Sequence, residues 1–254
     1  MNRYERLNAL LELLAERGRI EVDDIAEELA VSAATIRRDL DHLAEQQLLT
    51  RTRGGAVAHA VSYDLPLRYK SARHADAKLR IARAAAALVA KGAVVGLNGG
   101  TTATEVGRAL ATRSDLDVTI VTNALNIANE LAVRQQIKLV VTGGVVRPQS
   151  YEMIGPLARL IPDELTLDVT FLGVDQLDPQ LGASARDVGE AAINRLLAER
   201  ATRVVVVADS SKLGGSAFAR ICPIEAIHGL ITDSDADEAV AGEFRDRGID
   251  VQLV

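Results

Sequence analysis

At 254 residues, 48% of them hydrophobic, the chain has room for one small domain and one larger domain with a sizeable core. Aromatic residues reach only 3% and Trp is absent, so burial has to rely on Ala, Val, Ile and Leu. The formal net charge of −6 argues against a nonspecific polyanion binder. The lone Cys222 excludes an internal disulfide, and without a signal-like N terminus or an apolar run of about 18 residues the natural location is the cytoplasm, with no membrane partner.

In chain order, Leu7, Leu10, Leu11 and Leu14 make an apolar stripe at helical spacing that Gly18 stops, and Ile25, Ala26 and Leu29 make a shorter one. A third helix starts behind Ser32, whose hydroxyl suits an N-cap. Its Ile36, Leu40 and Leu43 share one face, Ala34, Thr35 and Arg38 stand on or near the opposite one, and Arg37 leans to the flank. The short loop over residues 30–32 sets the second and third helices at a steep angle. A hairpin follows over residues 49–56, with Arg51 and Arg53 beside a tight Gly54-Gly55 turn. Three helices and a wing make a winged helix-turn-helix, which predicts a DNA interface. Its N-terminal turn, from Ser32 and Ala34, faces the groove, Thr35 and Arg38 reach base edges, and Arg37, Arg51 and Arg53 support them at the backbone or an adjacent minor groove.

A plainer reading competes: any small three-helix domain needs an Ile/Leu stripe, and Arg37-Arg38 alone describes a solvated face. Charge does not decide it, because residues 1–58 carry eight Lys and Arg against eleven Asp and Glu, a net of −3. The basic groups must be concentrated by geometry. Most of the acids fall on the first two helices, while Asp39, Asp41 and Glu45 stand awkwardly on the third.

Residues 59–75 read as a linker, with the proline-broken Leu65-Pro66-Leu67-Arg68-Tyr69 extended and docked on the following domain. From residue 76 the pattern becomes α/β. An Ala-rich amphipathic helix over residues 78–91, with Leu79, Ile81, Ala82, Ala85 and Leu88 on its stripe, opens the series. Strands are expected at residues 93–97, 118–122, 138–142, 169–174, 204–208, 229–232 and 251–254. Most are continuous β-branched runs separated by helical stretches, the signature of a parallel sheet covered on both faces. The domains are therefore 1–58, a linker 59–75, and a mostly parallel α/β domain 76–254.

Open α/β sheets bind ligands at the carboxyl ends of their strands. After the first strand stands Asn98-Gly99-Gly100-Thr101-Thr102, small residues and hydroxyls at a helix start, where backbone N–H groups can cradle a phosphate. Thr122-Asn123 ends the second strand, Gly143-Gly144 follows the third, and Asp209-Ser210-Ser211-Lys212 brings a cation after the fifth. Each alone describes an ordinary tight turn; their convergence on one sheet edge argues for a site. No catalytic, cofactor or metal-ligand constellation stands out: His42, His59, His74 and His228 lack ligand spacing, and Cys222 reads as a buried inert thiol.

Residues 3–57, with Val31-Ser32, Thr35-Ile36-Arg37-Arg38-Asp39-Leu40 and Arg53-Gly54-Gly55-Ala56, resemble the N-terminal domain of the DeoR family of bacterial transcriptional regulators. Residues 65–254 resemble the same family's sensor domain, itself similar in fold to ribose-5-phosphate isomerase, through Gly99-Gly100-Thr101-Thr102, Thr122-Asn123, Gly143-Gly144, Phe171-Leu172-Gly173-Val174-Asp175, Asp187 with Glu190, and Ala208-Asp209-Ser210-Ser211-Lys212. The resemblance implies a repressor that binds double-stranded operator DNA as a homo-oligomer, a dimer or tetramer, and is relieved by a phosphorylated sugar or polyol. It implies that the first loop holds the phosphate while Asn123, Asp175, Glu190 and Lys212 contact hydroxyls or the phosphate. Four positions depart from the family pattern: Glu21 in place of a Ser or Thr cap, Asn98 for Asp, Ser184 for Thr after Gly182, and Asn194 for Lys. Two alternatives stay open, a DNA-binding regulator without small-molecule control and an isomerase-like enzyme for which Asp175, Asp178, Glu190 and Lys212 offer residue types.

Overall fold

The computed structural model describes residues 1–46, 48–58, 67–71, 73–160 and 164–254, with backbone only at 15, 16 and 68. The chain divides into two compact units, Met1–Arg73 and His74–Val254.

In the first unit α1 (Arg3–Arg17) opens with an Asn2/Glu5 capping box and closes at Gly18, whose left-handed φ of 71° lets its N–H reach Leu14 O. A short strand β1 (Arg19–Glu21) leads into α2 (Val22–Glu28), and Glu21 makes no side-chain cap there. Ser32 caps α3 (Ala33–Glu45), accepting from Thr35 N at 3.2 Å. The wing is β2 (Leu49–Arg51) and β3 (Gly55–Ala58), and β1 joins it in a three-stranded sheet of order β1-β3-β2. Three residues are too few to show an alternation, so β1 carried no sequence signal. Neither wing glycine has a positive φ; a Cβ on Gly55 would stand 1.9 Å from Ile20 O, so it is the close approach of β3 to β1 that excludes a side chain. Leu10, Ile25, Ile36, Leu40 and Leu43 form the buried centre, each contributing about 1.5 to 3 kcal/mol.

The linker expectation is corrected in part. Residues 59–66 lie outside the described residues, but Leu67–Lys70 is a helical turn, α4, belonging to the first unit. Tyr69 is buried in that unit's core, stacks on Tyr4 with centroids 6.3 Å apart, and Arg73 pairs with Glu12 at 2.6 Å. An aromatic ring gains more from this core than from an extended strand in water.

The second unit runs α5 (Ala75–Ala87), β4 (Val94–Leu97), α6 (Thr101–Ala111), β5 (Val118–Thr122), α7 (Leu125–Leu131), β6 (Ile137–Val141), β7 (Val145–Val146), β8 (Met153–Ile154), β9 (Leu167–Leu172), β10 (Gln176–Asp178), β11 (Gly182–Ala185), α8 (Val188–Glu199), β12 (Ala201–Val207), β13 (Ala219–Cys222), β14 (Gly229–Thr232), α9 (Glu238–Asp246) and β15 (Asp250–Leu253). Seven strands form one parallel sheet of order β15-β14-β12-β9-β4-β5-β6, and all seven expected strands lie on it. Val95, Leu97, Ile120 and Phe171 face one buried layer; Leu172, Val204, Val206 and Phe244 share the other. The order runs outward in opposite directions from β4 and β9. That pair is the switch point, where the loops diverge and leave a crevice.

Two small antiparallel elements were not expected: a sheet of order β10-β11-β13 and the hairpin β7-β8. Cys222 ends β13, buried, and burial pushes its thiol up to about 11. In α5 the buried face is Ala77, Lys78, Ile81, Ala82, Ala85 and Ala86, while Leu79 and Leu88, placed on the stripe by the sequence, are exposed. Leu79 lies one position off the 78-81-82-85 row that the 3.6 period selects, and Leu88 is the C-cap residue where the helix ends.

Candidate functional site

On α3, Ala34, Arg37 and Arg38 are exposed, and Thr35 is half-buried with its hydroxyl 2.8 Å from that of Ser32. Arg37 lies 3.8 Å from Asp23 on α2. Among the described residues Arg38 and the exposed Arg53 have no ion pair, so both are cations at large. Arg51 is differently placed: its Nε donates to Asp41 at 2.8 Å and its guanidinium also bonds Gly55 O, bracing the wing against α3. Asp39 does not stand on the exposed face at all. It is buried between α1 and α3, with Arg6 Nε at 2.5 Å and Arg3 Nε at 3.6 Å. Helical spacing explains this, since Asp39 is three residues after Ile36 and beside Leu40. With Asp39 buried and Asp41 paired, two of the awkward acids are accounted for.

In the second unit the switch point is closed by Asn98. Its Nδ2 donates to Gly173 O at 2.9 Å and its Oδ1 accepts from Gly173 N at 2.7 Å, clasping the ends of β4 and β9. An aspartate there could accept but not donate, which gives the departure at Asn98 a physical role. Gly100, at φ 109°, starts α6 and its carbonyl takes both the N–H and the hydroxyl of Thr104. Thr101 and Thr102 occupy the first turn. Thr122 accepts from Ala124 N at 3.0 Å, Gly143 and Gly144 have φ of 75° and 118°, and Gly144 packs against Ile154 O. Asp175 accepts from Arg186 N at 2.9 Å, and Asp178 is spent on the turn N–H groups of Gln180 and Leu181. Lys212 lies on the turn Ser210–Lys212 after β12, at the same sheet edge. Ser184 donates to Gln176 O and accepts from Ala217 N, a structural part.

Asn123 and Glu190 meet two residues outside the motifs read from the sequence, Glu152 and Arg147. Asn123, fully buried, donates to Glu152 Oε2 at 2.8 Å and lies 3.4 Å from Asn194 Oδ1. Glu190 pairs with Arg147 at 3.1 Å, and Arg147 also reaches Asp187 at 3.3 Å. Burial, then the charges of Glu190 and Asp175, push the Glu152 carboxyl up to about 8, against the hydrogen bonds of Asn123 and Asn194. Nothing local marked Glu152: buried glutamates are rare, and the two-residue strand that follows it shows no period. Among the described residues no cluster of His, Cys, Asp and Glu could hold a metal ion, and no helix is long and apolar enough to cross a membrane.

Comparison with known proteins gives this arrangement a family. A profile described as "DeoR-like helix-turn-helix domain" matches residues 6–60, and one described as "DeoR C terminal sensor domain" matches residues 73–234. The chain belongs to the DeoR family. The glycerol-3-phosphate regulon repressor of Escherichia coli strain K12 is 32% identical over 253 residues, spanning 100% of both chains. The HTH-type transcriptional regulator GlpR of Haloferax volcanii is 34% identical over 249 residues, spanning 97% of this chain and 96% of that one. Among solved structures, ribose 5-phosphate isomerase A of Methanocaldococcus jannaschii overlaps with a TM-score of 0.42 at 27% identity, across 55% of each chain. This DeoR-family protein is thus a DNA-binding transcription regulator with a small-molecule sensor domain, and the isomerase-like alternative is set aside because its end-to-end relatives are regulators.

Proposed function

We propose that this DeoR-family protein represses a sugar- or polyol-catabolism operon in the cytoplasm and is released by a phosphorylated sugar or polyol. In this reading α3 enters the major groove of operator DNA with Arg38 and Thr35 at base edges, and Arg53 meets the backbone from the wing. A homo-oligomer places two such units on operator repeats. The effector lies at the C-terminal edge of the parallel sheet, its phosphate over the first turn of α6 and its hydroxyls toward Asn123, Asp175, Glu190 and Lys212.

The observation that supports this most is the convergence at the β4/β9 switch point. A glycine of positive φ opens an eleven-residue helix there, beside a fully buried Asn123 whose Oδ1 accepts no hydrogen bond among the described residues. Helix N-termini favour anions, and a buried orphan acceptor favours a ligand hydroxyl. By linkage, an effector that lowers operator affinity must itself bind more weakly to the operator complex, by the same factor. The test is calorimetric titration of the full chain with three- to six-carbon sugar and polyol monophosphates, with and without duplex DNA selected for tight binding. Saturable binding that DNA weakens is expected; tight duplex binding that no ester alters favours a regulator without small-molecule control.

A further inference from the structure

The sensor unit buries an acid to which the family resemblance gives no role. Glu152 is 4% exposed, and it lies so close to the first loop that a Cβ on Gly99 would stand 2.3 Å from its Cγ. Asn123 donates to its Oε2, Asn194 also hydrogen-bonds it, and Asn123 Oδ1 is left without a partner among the described residues. The charged groups around it are Glu190 and Asp187 at the start of α8, Asp175 after β9, and Arg147, which pairs with Glu190 and Asp187. We propose that Glu152 is an effector-binding and specificity-determining residue: its carboxyl and Asn123 Oδ1 exchange hydrogen bonds with hydroxyls at the carbon end of the ligand, opposite the phosphate, and exclude a ligand with a second anionic group there.

The proposal rests on the reading that a phosphate ester binds at this sheet edge. Its own content is the residue and the proton. Near neutral pH burial keeps Glu152 protonated, so it offers one donor and one acceptor, which is what a hydroxyl needs on both sides. Once ionised it would add a negative charge beside Glu190 and Asp175, opposed by Arg147 at Glu190 and by Arg186, 3.8 Å from Asp175, and would disfavour an anionic ligand. Binding is then linked to retention of one proton.

The experiment uses the full chain and a panel of glycerol 3-phosphate, ribose 5-phosphate and fructose 6-phosphate, with inorganic phosphate as reference, titrated by calorimetry from pH 7 to 9.5. The phosphate's second ionisation lies near 6, so the ligand itself barely titrates in this window. For whichever ester binds, wild-type affinity is expected to fall about tenfold per pH unit above pH 8. Glu152→Gln should flatten that slope to less than about threefold overall, whatever its absolute affinity, by the same linkage. The acid-ended counterpart of the same ester should bind the wild type at least about tenfold more weakly, a like charge beside two acids being disfavoured. In infrared difference spectra of wild type minus Glu152→Gln, the protonated carboxyl band should shift when the ester is added, a readout that does not depend on the variant binding. An ester that binds with no pH slope above 7, or an unmoved carboxyl band, overturns the role of Glu152 and leaves the effector site intact. Binding of no ester at any pH overturns both.

Discussion

Tyr69 donates its phenolic hydrogen to Gln46 Oε1 at 2.7 Å, and Gln46 is the residue that ends α3. The segment just before the sensor unit is thereby fastened to the end of the helix proposed to read DNA. Tyr69→Phe should keep the ring's packing and lose about 1 kcal/mol for the hydrogen bond, whereas Tyr69→Ala should cost about 3 to 5 kcal/mol through the emptied aromatic site. Denaturant unfolding of the full chain, followed by a probe in the first unit, measures both. Equal losses for the two variants would remove the ring from the core.

Three of the four arginines proposed to face DNA separate by experiment. Arg38→Ala should cost about 1 to 3 kcal/mol on the selected duplex and relax preference at one position. Arg53→Ala should weaken all sequences alike and lower the salt slope by about one. Arg51→Ala acts first on stability, because Arg51 ties Asp41 to Gly55, and its loss should lower the melting temperature of the first unit. Anisotropy titrations at several salt concentrations, beside thermal melts, distinguish the three. Normal duplex affinity and sequence preference in Arg38→Ala would dismiss the docking of α3.

Stability should depend on pH through Glu152. Its folded pKa, about 8, lies above the ordinary carboxylate value of 4.5, so between those values the folded state holds a proton that the unfolded state has released, and stability falls as pH rises. Glu152→Gln carries no such penalty. In thermal melts without ligand the variant should gain on the wild type steadily from pH 5 to 8 and level off above. A constant difference across that range would mean that the carboxyl is ionised in the folded protein.

How much of this was legible in the sequence follows from the range of each interaction. The parallel sheet was legible because strands covered on both faces, such as Val204 to Val207, are written as unbroken β-branched runs. The strands β7, β8 and β10 are two or three residues long and too short for any period, and the four residues of β11, Gly-Ala-Ser-Ala, carry no β-branched side chain. Asp39 was legible in principle, since helical spacing puts it on the packed face; only its partner Arg6, thirty-three positions away, was hidden. Asn98 was read as a ligand group and its clasp on Gly173 was not, because that partner stands seventy-five positions away. Glu152 shows the limit most clearly, since its role depends wholly on Asn123, Asn194 and Gly99, which the fold brings to it.

The central claim is that an anion at the start of α6 controls DNA affinity, and Gly100 tests it. A Cβ there would meet nothing within 4 Å, but φ of 109° is a conformation that a β-branched residue resists, so Gly100→Val should twist the cradle while leaving the first unit untouched. The decisive measurement is the affinity of the full chain for the selected duplex, with and without saturating sugar or polyol monophosphate, in wild type and Gly100→Val. The account predicts that at least one ester weakens wild-type binding by about 5- to 150-fold and leaves Gly100→Val bound to DNA as tightly as before. An ester response of equal size in both proteins would contradict it.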